Sequence, residues 1–254
     1  MSKSYLRFIV PKITSSLAIC SSIFIYSVMP AQAIFNNYIK QINNNSNIGG
    51  YFESSYGQED LRDNSPNDNS GFINKEMWVD FNSNQTEWIE VGDTKGPTSK
   101  NLQLINPTDS QKSYWSGHFL AYNIRNSSTG KFEYHEVAYG NQYPIGVQSY
   151  SISYIGSNSW VIYTNFNRIL TLQPISYTSA NDIQMGIETN DLSDTSFLDN
   201  TFASNIQWKD TNGAWRLWNN STANVDSDFH LPKWYSRFAY DSTNAVNVIH
   251  FYNQ

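Results

Sequence analysis

The chain has one cysteine, Cys20, four histidines, and a charged fraction of only 15% in 254 residues, 16 of them basic and 22 acidic. Each shortage removes a class of chemistry. A lone thiol supports neither a disulfide framework nor a thiolate–metal site. His118, His135, His230 and His250 show no His-x-His or comparable ligand spacing, so no metal centre is expected. There is no Gly-x-Ser-x-Gly elbow and no phosphate-cradling glycine loop, so no cofactor is expected either. With a formal charge of −6 and no basic cluster, nucleic acid and anionic lipid are poor partners. Helical patterning is also missing: after the first 33 residues, no stretch of ten or more carries a convincing 3.6-residue apolar period.

The one long apolar run lies near the start. Lys3, Arg7 and Lys12 precede it without an acidic residue, and it extends from Ile13 to Met29. Pro30 breaks it, and Ala31-Gln32-Ala33 then places small residues where a signal peptidase reads. The run is shorter than the roughly 20 residues a membrane span needs, and serines interrupt it. The expectation is a signal peptide over 1–33, export to the extracellular space or periplasm, and no stable membrane insertion afterwards. Removing 33 of the 254 residues leaves 221, takes Cys20 away and moves the formal charge from −6 to −9. All-β domains often run to about 200–250 residues as one unit.

What is plentiful is aromatic and polar. Phe, Trp and Tyr make up 15% of the chain, a wealth of strand formers. Residues 34–70 read as a polar leader and loop, with Asn43-Asn44-Asn45-Ser46-Asn47 inside it. Asp60–Ser70 is rich in oxygens that could hold calcium but lacks the spacing of a known calcium loop. From Gly71 to the end, short alternating segments are separated by turn chemistry such as Gly156-Ser157-Asn158-Ser159 and Asp210-Thr211-Asn212-Gly213. A short helix is allowed near Asp194–Leu198. The fold expected over 71–254 is an antiparallel two-sheet sandwich of the jelly-roll kind.

Alternate residues of a strand point to opposite faces. If the aliphatic face of each strand packs inward, the other face collects Glu76, Trp78 and Asp80, then Trp88 and Glu90. Tyr114 and His118 join from a third strand, Tyr134 and Glu136 from a fourth, and Gln184 and Glu188 from a later one. Rings supply stackable surface, while carboxylates and amides orient a ligand. A pair of carboxyls can divide general acid and base duties, because burial and mutual repulsion push their pKa values apart. Glu90 and Glu188 are the candidate catalytic pair. Trp78, Trp88, Tyr114, His118, Tyr134, Glu136 and Gln184 are the candidate ligand-binding residues.

Trp88-Ile89-Glu90-Val91-Gly92, followed by Gly96, Tyr114-Trp115, Tyr134-His135-Glu136, Trp160 and Met185-Gly186-Ile187-Glu188, resembles a loose family of secreted bacterial proteins with a concanavalin-A-like jelly roll, most without known activity. That arrangement is distantly similar to the glutamic peptidases and neprosin-type domains. The resemblance implies a glutamate on a concave sheet that activates water, with Glu188 at its position. In the glutamic peptidases a glutamine is its partner. Here Gln85 falls on the core-facing parity, and Glu90 stands where an acid partner would be.

Three functions follow as expectations. One is binding of an extracellular polysaccharide or surface polymer through the aromatic and acidic face. Another is hydrolysis of a glycan or polypeptide by Glu90 and Glu188. The weakest is an outer-membrane barrel, since acids fall on the face that would meet lipid and the strands are short for spans of roughly 9–11 residues.

Overall fold

In a computed structural model of the protein, the described residues are 35–56, 72–97, 102–104, 114–126, 128–142, 144–189, 202–218, 223–227, 234–240 and 246–253. The expected signal peptide, the Asp60–Ser70 loop and the helix near Asp194–Leu198 lie outside them. The described elements are strands: β1 (Phe35–Tyr56), β2 (Ile73–Asp80), β3 (Trp88–Pro97), β4 (Leu102–Leu104), β5 (Tyr114–Arg125), β6 (Phe132–Gln142), β7 (Gly146–Gly156), β8 (Ser159–Thr164), β9 (Asn167–Leu172), β10 (Ala180–Thr189), β11 (Phe202–Asp210), β12 (Trp215–Leu217), β13 (Ala223–Ser227), β14 (Trp234–Tyr240) and β15 (Val246–Asn253). All described pairings are antiparallel except β4 with β6.

The stretch expected to be a polar leader is β1, the longest strand, and it joins two layers. Its first half pairs with β10 on one edge and β13 on the other. After a register shift between Ile42 and Asn47, its second half pairs with β11 and β7. One continuous ladder therefore turns over on itself. The first layer runs β13-β1-β10-β2-β3-β5-β6-β4, and the second holds β14-β15-β11-β1-β7-β8-β9 with β12 against β11. This is the expected all-β jelly-roll sandwich. Gly50 lies just beyond the crossing. A β-carbon there would stand 2.4 Å from the Met77 sulfur and 3.0 Å from Ile183 Cγ2, so any larger residue would have to push the Met77 side chain aside.

The interior takes alternate residues from both layers. Met77 and Val79, Ile89 and Val91, and Ile183 and Met185 come from the first; Phe52, Tyr150, Ile152, Trp160 and Ile162 from the second. All eleven are fully buried. Phe52 stacks on Tyr150 at 5.0 Å, and Phe81 meets Trp160 edge-on at 5.0 Å. Burying such side chains contributes about 1.5–3 kcal/mol each, enough to hold a sandwich without disulfides.

The same inward parity becomes polar at one end. Lys75, Asp93, Lys95 and His118 lie on it, all buried. The Tyr150 hydroxyl donates to Asp93 Oδ1 and accepts from His118 Nδ1 at 2.6 Å. That geometry places a proton on His118 Nδ1. Removing the hydroxyl while keeping the ring would leave two buried polar groups short of a partner. Tyr150→Phe should therefore destabilise the fold by about 1–3 kcal/mol, read from urea or thermal unfolding.

Candidate acidic site

Cross-strand register fixes which residues meet on the outer face of the first layer. Reading from β10 across β2, β3, β5 and β6, one row is Gln184, Trp78, Glu90, Ala121 and Glu136. The next towards one end is Asp182, Asp80, Trp88, Asn123 and Tyr134. On the other side lie Gly186, Glu76, Gly92 and Phe119, then Glu188, Asn74 and Thr94. Glu188, Glu76 and Glu90 thus descend diagonally over three adjacent strands. Glycine flanks Glu76 on both sides, so no neighbouring side chain crowds it within its row.

The three carboxyls converge: one oxygen from each lies within 4.8 Å of the others. This is the one grouping of three metal-capable side chains among the described residues, close enough for one hard cation to span. Glu76 is fully buried, Glu90 is 5% exposed, and Glu188 reaches partly to solvent. Neither Glu76 oxygen receives a donor from elsewhere among the described residues. Its polar neighbours are the carboxyls of Glu188 and Glu90. Asn74 Nδ2 donates to Glu188 Oε2 at 3.2 Å, and the Trp78 indole donates to Glu90.

Burial dominates the electrostatics. It pushes Glu76 and Glu90 well above the usual carboxylate range, and repulsion from neighbouring glutamates pushes them further. Glu188 is raised to about 7, again mainly by burial, with the bonds from Glu76 and Asn74 pulling the other way. Burial also raises Glu136, which accepts a hydrogen bond from Tyr134 Oη at 3.0 Å. The cluster accordingly keeps protons where an exposed glutamate would be ionised, and Glu188 is the carboxyl best placed to lose one near neutrality.

Beside the acids, Trp88 meets Tyr134 edge-on at 5.9 Å, both half-buried. Gln184 is occupied: its amide nitrogen donates to Asp80 Oδ2 at 2.7 Å and Asp182 Oδ1 at 3.0 Å. It braces two aspartates. The structure thus brings together Trp78, Trp88, Glu90, Tyr134, Glu136, Gln184 and Glu188 as expected from parity. It does not bring His118, which faces the interior against Asp93 and Tyr150 because β5 pairs it with Asp93 on the core-facing parity of β3. Tyr114 pairs with Pro97 on that same parity, and its side chain lies outside the described residues. Gln85 sits in the exposed turn between β2 and β3, at φ 53, away from the cluster. Glu76 is the member that pairing Glu90 with Glu188 overlooked. The signal for it was Gly92 and Gly186, two glycines that interrupt strands rich in β-formers.

No protein-family model matches the chain, and no curated protein sequence does. Its fold is similar to those of several solved structures. Scytalido-glutamic peptidase with a transition state analog inhibitor matches with a TM-score of 0.50 at 9% identity, over 88% of this chain and 99% of that one. SCP-B, of the Eqolisin family of peptidases, in complex with the tripeptide Ala-Ile-His, matches at 0.48 and 8%, over 88% and 99%. The β-glucanase of Bacillus licheniformis matches at 0.33 and 12%, over 59% of this chain and 56% of that one. At these identities the likeness is one of fold.

Two outcomes follow from the packing and charge of the cluster. A β-carbon on Gly92 would stand 2.1 Å from the Lys75 carbonyl oxygen and 2.7 Å from Glu76 Cα. Gly92→Ala should cost about 1–3 kcal/mol, measured by chemical denaturation, and should displace Glu76. The pH dependence has a definite sign. A carboxyl with a raised native pKa binds its proton more tightly folded than unfolded. Its contribution is complete below the ordinary value of 4.5 and is lost as pH climbs to about 7. The Tm of Glu188→Gln relative to wild type should therefore improve steadily across that interval. A difference independent of pH would show that Glu188 titrates normally.

Proposed function

We propose that the acidic face is the active site of an exported hydrolase, and that its substrate is an extended polysaccharide lying across the strands. The observation that carries this reading is the convergence of three carboxyls within 4.8 Å on one sheet face. Carboxyls so close cannot all be ionised together, and a cluster that is part protonated and part ionised holds both an acid and a base. Glu188, partly exposed and first to ionise, is the base or nucleophile. Glu90, deeper and held protonated, gives its proton to the leaving oxygen. Glu76, the most deeply buried of the three, stays protonated beside them and leaves the negative charge to Glu188. The short spacing supports direct attack by a carboxylate, for which about 5–5.5 Å is typical, over a mechanism that seats water across about 6.5–9.5 Å. Trp88 and Tyr134 offer ring surface next to Glu90 and Glu136.

A polypeptide is the second substrate class. The glutamic peptidase with which this chain shares a fold was solved with a transition state analog inhibitor, and the same carboxyls could activate water for amide hydrolysis. The test is product release from β-glucan, xylan and casein between pH 4 and 9. Wild type should release reducing sugar, with activity rising near pH 7 as Glu188 ionises. Glu188→Gln and Glu90→Gln should each lower kcat by about 10²–10⁴-fold while still binding the polymer. Cleavage of casein alone would reassign the substrate. Binding without product would leave a polysaccharide-binding face, and neither binding nor product would end the proposal.

A further inference from the structure

The outer face of the second layer carries rings that neither the interior nor the acidic site uses. Tyr51 of β1, Phe166 in the turn between β8 and β9, and Trp215 of β12 meet there. Tyr51 and Phe166 lie 6.3 Å apart at 25°, and Tyr51 and Trp215 6.0 Å apart at 65°. Phe166 is 80% exposed and Trp215 39%.

Phe166 contradicts its backbone. It follows Asn165 in a two-residue hairpin turn, with φ of 63 and 50 respectively. Such turns favour asparagine and glycine, because a β-carbon is strained in the left-handed region. The hairpin between β7 and β8 makes a turn with similar φ values using Ser157 and Asn158. A phenylalanine in this position gains little burial to offset the strain. Yet the turn is held firmly. Asn165 N donates to the Ser149 carbonyl at 2.8 Å, Ser149 N donates to Asn165 Oδ1 at 2.9 Å, and Asn165 Nδ2 donates to Gln148 Oε1 at 2.7 Å. Tyr51 is fixed too. Its hydroxyl donates to Glu53 at 2.7 Å, and Glu53 also accepts from Asn205 at 3.0 Å. Lys209 Nζ sits 5.6 Å from the Trp215 ring centre.

We infer that this face is a second binding site, distinct from the acidic one, for an uncharged polysaccharide. Rings locked in place present apolar faces on which pyranose C–H groups can lie without ordering the protein further. Beside them Asn205 donates to Glu53 and accepts from Gln207 Nε2 at 2.7 Å, which leaves the Gln207 carbonyl oxygen to accept from a hydroxyl group. The patch carries one charge of each sign, Glu53 held by Tyr51 and Asn205 and Lys209 over the Trp215 ring, so its net charge is zero and the chemistry matches a neutral ligand better than an anionic one. Strained residues held by a firm surround are a recurrent mark of ligand contacts.

The probes are hydroxyethylcellulose and xylan in native affinity gels, with alginate as the charged counterpart. Both neutral polymers should retard wild type, and alginate should not. Phe166→Gly and Trp215→Ala should each weaken retardation at least tenfold. Phe166→Gly should keep or raise the Tm, because glycine suits the turn, which separates lost binding from lost folding. Trp88→Ala, which removes ring surface from the acidic face, should still be retarded, so failure of the catalytic reading leaves this site standing, and the reverse. The inference is overturned if wild type runs freely, if alginate retards it equally, or if both ring variants are retarded normally. It is also overturned if the rings instead support self-association that Phe166→Gly abolishes in sedimentation.

Discussion

Strand β1 is hydrogen-bonded on both edges in both layers, and the architecture depends on that sharing. Its first half sets β10 beside β2, which leads to β3, β5 and β6; its second half sets β7 and β11 opposite them. At Gly50 the β1 backbone comes close to the Met77 and Ile183 side chains. Once Met77, Val79, Ile89, Val91, Ile183 and Met185 are committed to the space between them, strand geometry leaves no choice for the alternate residues. Glu76, Trp78, Glu90, Gln184 and Glu188 must share the other face. The carboxyl cluster is thus a by-product of the apolar core, and slipping one strand by a residue would bury the acids in the interior.

That logic was readable from the chain where polar and apolar positions alternate cleanly, as in Ile73–Asp80 and Trp88–Val91. It failed where both parities are apolar. In β5, Trp115, Phe119, Leu120 and Ala121 are all buried, so nothing in the pattern says which way His118 points, and the answer comes from its ladder partner Asp93. β1 was hidden by its asparagines, because its place is secured by backbone hydrogen bonds to neighbours on both sides, which composition does not reveal. β4 and β13, of three and five residues, are too short to show a period. Phe166 sits in a turn although aromatic residues favour strands, so composition points the wrong way there.

The cluster carries a conflict between holding together and working. Burial keeps the carboxyls protonated, and the fold is better off while they remain so. The hydrolysis proposed for it would need one of them ionised. Glu188, the least enclosed of the three, is where that conflict is eased, since solvent reaches it and Asn74 supports its charge. On the opposite side of β3, three residues from Glu90, Asp93 meets Tyr150 and His118 through Oδ1, while its buried Oδ2 has no hydrogen-bond partner among the described residues.

The reach of β1 has a kinetic consequence. Its partners on β7, β10 and β11 follow it by 90 residues or more, from Tyr56 with Gly146 to Asn47 with Asp210. Contacts that close such long loops form late and slowly. A nascent chain cannot complete either layer until its last third has emerged. Such delayed closure keeps the polypeptide threadable, the state in which a translocation channel must receive it, and suits the export proposed for this protein.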